Sequence, residues 1–206
     1  GIVVVHVIAN KKFAIKCVEA GVDAIVAEGF EAGGHNGIEE LTTMCLIPLI
    51  SKEIDLPIIA AGGISSGYSM LAAFSLGADG IQMGSRFVAS KECSAHINFK
   101  NRIVDADDAE TELTLKELTA VRLMKNDFFY QIKDAYSKNA SVIELKKILG
   151  KGRAKKGMFE GDLKNGELEI GQVSALLDDI LPVSEIMSRI ILEYEEAVLR
   201  IDKFKI

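Results

Sequence analysis

The chain opens on a continuous apolar run, Ile2 to Val7, whose lack of alternation predicts a buried strand. Asn10 stands where a helix N-cap belongs, and the helix it opens reaches Ala20. Phe13, Cys17 and Val18 (with Ile15 off the main stripe) predict its buried face, and Gly21 ends it. A second strand, Val22 to Ala27, runs into a Gly-rich loop from Gly29 to Gly37. Thr42 or Thr43 caps the next helix, with Leu46, Leu49, Ile50 and Ile54 at helical spacing. Pro48 predicts a kink or a first turn inside it. Pro57 opens a third strand, Ile58 to Ala61, which stops at Gly62 and Gly63. Ser65 or Ser66 caps a helix to Leu76, Gly77 closes it, and a fourth strand spans Gly80 to Met83.

The sequence Gly21-Val22-Asp23-Ala24-Ile25 returns as Gly77-Ala78-Asp79-Gly80-Ile81, each time between a helix end and a strand start. Strand, helix and strand in this order predict parallel pairing with right-handed crossovers. Beyond Ser90 charged residues rise and strand signals fade. His96 to Val104, Leu113 to Ala135 and Val142 to Leu149 read as helices. Lys151 to Gly157 reads as a basic loop, Gly161 to Gly171 as a turn-rich crossing, and Val173 to Ile180 as a short helix. Pro182 opens a last helix running towards Lys203. The expected organisation is a βα piece over residues 1–92 and a helical C-terminal cap over 93–206.

Composition narrows the class. The 206 residues are 49% hydrophobic and 26% charged, with a net charge of −6, enough to bury a sizeable core. A mildly acidic chain without a basic block argues against a nucleic-acid platform or a polybasic membrane anchor. No apolar stretch approaches the roughly 20 residues of a spanning helix. Cys17, Cys45 and Cys93 lie in no metal or redox spacing and are expected as small core hydrophobes in a reducing, cytoplasmic setting. The chain begins on Gly1 rather than Met, and its front end is expected not to be the front end of the gene.

In parallel α/β folds, ligands lie at the carboxyl ends of the strands. Three loops occupy such positions: Glu28 to Gly37, Gly62 to Gly67, and Gly84 to Phe87. Glycines there let backbone N–H groups approach a ligand. A following helix N-terminus adds positive potential, and Ser85 adds a hydroxyl; together they predict a phosphate site. Arg86 serves either that phosphate or a structural ion pair. His35, framed by Gly33, Gly34 and Gly37, is an imidazole able to move a proton near neutral pH. Glu28 and Glu31 either orient it, meet a cofactor hydroxyl, or stay solvated. His6 and His96 are expected in packing or capping roles, and the three histidines have no zinc spacing.

Three ordered motifs resemble the nitronate monooxygenase family, which also contains flavin-dependent enoyl-acyl-carrier-protein reductases. They are Ala27-Glu28-Gly29 with Glu31-Ala32-Gly33-Gly34-His35-x-Gly37, then Pro57 to Ile64, then Gln82-Met83-Gly84-Ser85-Arg86-Phe87. The resemblance implies a TIM (β/α)8 barrel carrying FMN, with this chain covering the last four βα units and a first half absent. It implies that Gly62, Gly63, Gly84 and Ser85 hold the FMN phosphate and that Glu28, Gly34, Ala61 and Gln82 line the cofactor. His35 would be the active-site acid/base.

The tail is more similar to the reductase branch, in Ala95-His96-x-Asn98-Phe99-Lys100, Ala120-Val121-Arg122-x-x-Lys125-Asn126, and Gly161-Asp162 ahead of Gly171-Gln172. That branch implies NAD(P)H as co-substrate and a small-molecule or acyl-carrier-protein-linked enoyl substrate. Lys151, Arg153, Lys155 and Lys156 are then either a carrier-protein docking patch or a solvated loop. The alternatives are oxidation of alkyl nitronates with oxygen, a non-flavin barrel enzyme for a phosphorylated metabolite, and a non-catalytic barrel fragment. Two open strand edges would favour association, and a homodimer is expected.

Overall fold

Asn10 and Ser66 each accept the amide hydrogen of the residue three positions on, starting a helix after a strand. The computed structural model describes residues 1–204. β1 (Val5–Ile8), α1 (Lys11–Glu19), β2 (Ala24–Glu28), β3 (Gly34–His35) and α2 (Thr43–Ser51) come first. β4 (Ile58–Ala61), α3 (Gly67–Ser75), β5 (Gly80–Gln82), α4 (Ser85–Val88) and α5 (Ile97–Val104) follow. β6 (Thr111–Thr114), β7 (Val121–Met124), α6 (Asp127–Ser137), α7 (Val142–Leu149) and α8 (Val183–Asp202) complete the chain.

Two compact units share these elements. The first comprises residues 1–32, 39–83 and 181–206, the second 33–38 and 84–180. This division differs from the 1–92 and 93–206 expected: the boundary falls at Met83, and the last helix belongs with the strands of the first unit.

In the first unit, β1, β2, β4 and β5 form a wholly parallel sheet in that order. One face carries the core. Ile8, Ala27 and Ala60 lie in one register row, with Ile25 and Ile58 two residues back, and they pack with Ala14, Cys17, Leu46, Ile47, Ile50 and Ala73 of α1, α2 and α3. The repeated aspartates have one job. Asp23 accepts the Val4 N–H at 2.7 Å, and Asp79 accepts the Ile58 N–H at 2.9 Å. Each ties the start of its strand to the start of its parallel neighbour. α8 lies against α3, with the Glu193 carboxylate accepting the Gly67 N–H at 2.8 Å and Tyr194 meeting the Phe74 ring edge-on.

The run Ile2 to Val7 is a strand edge but not a buried one. Ile2 is 91% exposed and Val3 73%, and only Ile8 of β1 is buried, because β1 pairs on one side alone. Phe13, Ile15 and Val18 are likewise exposed, and α1 buries Ala14 and Cys17 instead. Cys45 is exposed and Cys93 half-buried, so only Cys17 is the core residue expected.

The second unit is not a helical cap. It holds an antiparallel sheet, β3-β7-β6, where a single helix over Leu113 to Ala135 was expected. β7 is buried along its whole length, Arg122 included, so its sequence carries no alternation to betray it. α6 and α7 pack on this hairpin through Phe128, Phe129, Ile132 and Leu145. The basic loop contains one π-helical turn, Lys155–Phe159, and the short helix expected at Val173 to Ile180 is a 3-10 turn at Gln172–Leu176. Among the described residues no helix is long and apolar enough to cross a membrane.

Candidate functional site

In the first unit the strand ends bring together five of the residues singled out in the sequence. Glu28, Ala61 and Gln82 stand in one register row across β2, β4 and β5. Side chains alternate along a strand, so this row points away from the face that packs against α1, α2 and α3. Burial disfavours the charged form of Glu28 and raises its carboxyl above the usual range. Gly62 and Gly63 follow at the end of β4 with φ of 84° and 71°, a conformation that only glycine adopts without strain. A Cβ on Gly62 would sit 2.7 Å from the Gly29 carbonyl oxygen, so the two loops touch through backbone.

Glu31 does not orient His35. Its carboxylate accepts the Thr43 amide at 2.9 Å and the Thr43 hydroxyl at 3.1 Å, and so takes the capping role expected of Thr42 or Thr43. The Thr43 hydroxyl also lies 2.8 Å from the Gly62 carbonyl oxygen, tying the start of α2 to the glycine turn. The α3 N-terminus, expected to add positive potential to a phosphate site, is already occupied. Ser66 and Ser69 form a reciprocal capping box, and Glu193 takes the Gly67 amide. The Gly63 amide, by contrast, has no acceptor among the described residues.

The second unit holds Gly34, His35, Gly84 and Ser85. Gly34 and His35 form β3 opposite Arg122 and Val121, with His35 exposed. Ser85 opens α4 and is buried, and its hydroxyl accepts the Gly171 N–H at 3.0 Å while keeping its own hydrogen to donate. The amides of Gly84 and Ser85 have no acceptor among the described residues, and a Cβ on Gly84 would meet only open space. Arg86 is structural: it pairs with Asp179 at 3.0 Å and donates to the carbonyls of Ala89 and Asp179. Its Nε is buried without a partner.

The basic loop is also largely spent. Arg153 caps the carbonyls of Ile148 and Leu149 and stacks over Phe128 at 4.3 Å, while Lys155 and Lys156 pair with Glu160 and Asp162. His96 caps α5, its Nδ1 accepting the Asn98 amide at 3.1 Å, and His6 is an exposed β1 residue.

These donors suit an anionic cofactor. In the second unit, open amides at Gly84 and Ser85 and a free hydroxyl hydrogen on Ser85 suit a phosphate such as that of FMN; in the first unit the Gly63 amide is open, and the Glu28, Ala61 and Gln82 row offers one apolar and two polar groups. The fold defines an α/β protein with a glycine turn at the carboxyl end of a parallel sheet, the place where such folds bind ligands. The chain belongs to the nitronate monooxygenase family, whose model matches residues 1–193.

A curated nitronate monooxygenase of Paraburkholderia phytofirmans is 32% identical over 203 residues, covering 95% of this chain and 55% of that protein. A probable nitronate monooxygenase of Staphylococcus aureus is 39% identical over 115 residues, covering 52% of this chain and 30% of that protein. Among solved structures, FabK from Thermotoga maritima superposes with a TM-score of 0.93 at 37% identity, over all of this chain and 65% of its own. A nitroalkane oxidase from Streptomyces ansochromogenes gives 0.79 at 28% identity, over 98% of this chain and 60% of its own. The chain thus spans about half of that first curated relative and about two thirds of these solved chains.

Proposed function

We propose that this chain supplies the later βα units of a TIM-barrel FMN-dependent oxidoreductase, including its phosphate-binding turns and its acid/base. The observation that carries this reading is the Gly62–Gly63 turn, left-handed at both residues, next to the row of Glu28, Ala61 and Gln82. When bound, FMN would carry the electron pair between reductant and substrate. The amides of Gly84 and Ser85 would hold its phosphate, and the Ser85 hydroxyl would donate to it. His35, exposed on β3, would give or take the proton that accompanies reduction.

For the reaction, we favour reduction of an enoyl thioester by NAD(P)H. The likeness to FabK, an enoyl-acyl-carrier-protein reductase, extends over the whole chain and supports this choice. The second reading, oxidation of an alkyl nitronate with oxygen, draws support from the curated nitronate monooxygenases. Because Arg153, Lys155 and Lys156 are engaged, we do not assign carrier-protein docking to that loop.

The purified protein is expected to be yellow and to quench FMN fluorescence on uptake. A colourless protein indifferent to FMN but protected from proteolysis by sugar phosphates would replace this reading with a non-flavin barrel enzyme. NADH or NADPH oxidation driven by a trans-2-enoyl thioester supports the reductase. Oxygen uptake with an alkyl nitronate and no nicotinamide would transfer the assignment to the monooxygenase.

A further inference from the structure

Glu169 takes no part in the function proposed, yet it stands beside its acid/base. Residues 167–170 run extended along β7: the Met124 amide donates to the Leu168 carbonyl at 2.9 Å, and Leu123 bridges Glu169 in antiparallel sense. Leu123 already pairs with Glu112 of β6 on one edge, so Glu169 occupies the edge that β3 uses. Along that edge Val121, Arg122 and Leu123 face His35, Gly34 and Glu169 in consecutive positions.

The carboxylate of Glu169 rests on Gly34. A Cβ there would sit 2.6 Å from its Oε2, so this approach requires glycine next to His35. Among the described residues the Glu169 carboxylate has no hydrogen-bond donor, and the positive charge acting on it is that of His35. Burial raises its carboxyl above the usual range, and His35 opposes that rise. Glu167, buried two residues earlier in the chain, is pushed up to about 7 by burial and by the charge of Glu169, with Arg153 opposing.

We propose that Glu169 is a positioning residue for His35: held against Gly34, its carboxylate orients the imidazole during turnover. The inference rests on His35 being the acid/base. A carboxylate beside an imidazole fixes the ring and balances the charge it acquires, without exchanging the reaction's proton itself. Only a half-buried carboxylate with no other donor has this capacity to spare.

Two measurements on the FMN-loaded protein test it. In the first, the carboxyl carbon of Glu169 is titrated by NMR in the parent protein, in His35→Gln and in His35→Ala, with thermal melts confirming that the variants are folded. Removing the imidazole is expected to move the Glu169 midpoint to higher pH, and an unmoved midpoint in both variants would overturn the coupling. In the second, Glu169→Gln is expected to lower kcat by about tenfold or more with KM for the enoyl thioester unchanged, and Glu169→Asp to restore part of it. Loss of kcat that Asp does not restore, with a parallel loss of flavin, would mark Glu169 as merely structural. A moved midpoint together with full turnover in His35→Gln would instead overturn the acid/base reading of His35, and the positioning role with it.

Discussion

The carboxylate of Glu31 accepts the amide of Thr43 at 2.9 Å, closing α2 from a loop twelve residues upstream. The helix is thereby capped by a charged group that also sits against Gly63, whose Cβ position lies 3.4 Å from the Glu31 side chain. A helix start, a strand-end turn and a glycine loop are tied at one point.

Glu31→Ala should therefore act on stability and on cofactor uptake together. Losing a charged cap costs about 1–2 kcal/mol, which for a chain of this size lowers Tm by roughly 2–8 °C. Thermal melts read the first effect and FMN titration the second. A variant with unchanged Tm would show that Thr43 finds another acceptor at no cost.

The two glycines of the turn should differ. At Gly63 an added Cβ meets only ordinary contacts, so Gly63→Ala costs the left-handed conformation alone, about 1–2 kcal/mol. At Gly62 the same strain is joined by a clash with the Gly29 carbonyl oxygen, and the backbone must move. Gly62→Ala should melt lower than Gly63→Ala and bind FMN more weakly, as calorimetry would register. Equal effects would mean the Gly29 loop yields freely.

The repeated aspartates offer an internal comparison. Asp79 serves the Ile58 amide in a part-buried position, and Asp23 serves the Val4 amide in an exposed one. Asp79→Ala leaves a shielded donor unpaired and should cost about 1–2 kcal/mol, whereas water replaces Asp23 and Asp23→Ala should cost less than about 0.5 kcal/mol. Denaturant midpoints measure both, and Asp79→Asn should recover most of the loss.

Glu167 predicts a pH dependence. Its carboxyl moves from 4.5 to about 7 in the folded protein because burial favours the neutral form. A raised pKa means that this contribution is fully present below about 4.5 and is lost as pH rises through about 7. Glu167→Gln should match the parent at pH 4 and melt higher at pH 8. Parallel melting curves across that range would count against a buried, neutral carboxyl.

Much of the first unit was legible because its strands and helices are local and punctuated. Asn10, Ser66, Gly77 and Pro182 sit at element ends as their chemistry requires, and β4 has the bounds read from the sequence. What escaped depended on distant partners. β3 is only Gly34–His35, and it exists because Val121 and Arg122 come alongside. The stretch Leu113 to Ala135 read as one helix because both hairpin strands are short and β7 is buried throughout. Of the candidate site, Glu28, Gly62 and Gly63 were singled out from their loops and Gln82 from the family resemblance, but the role of Glu31 at Thr43 needed coordinates. Glu169 had one signal, the alternation Glu167-Leu168-Glu169-Ile170 of an extended segment, hidden in a polar, turn-rich stretch.

The contact between α3 and α8 also sets a timetable. Gly67 and Glu193 are 126 residues apart, and the chain builds the whole of residues 84–180 between them. At about 5–20 residues per second, a ribosome needs roughly 6–25 s to make the 126 residues from Gly67 to Glu193. For that interval the outer side of α3 waits uncovered, with Phe74 lacking Tyr194 and the Gly67 amide lacking its carboxylate. The unit with the parallel sheet is opened before the antiparallel one and closed after it.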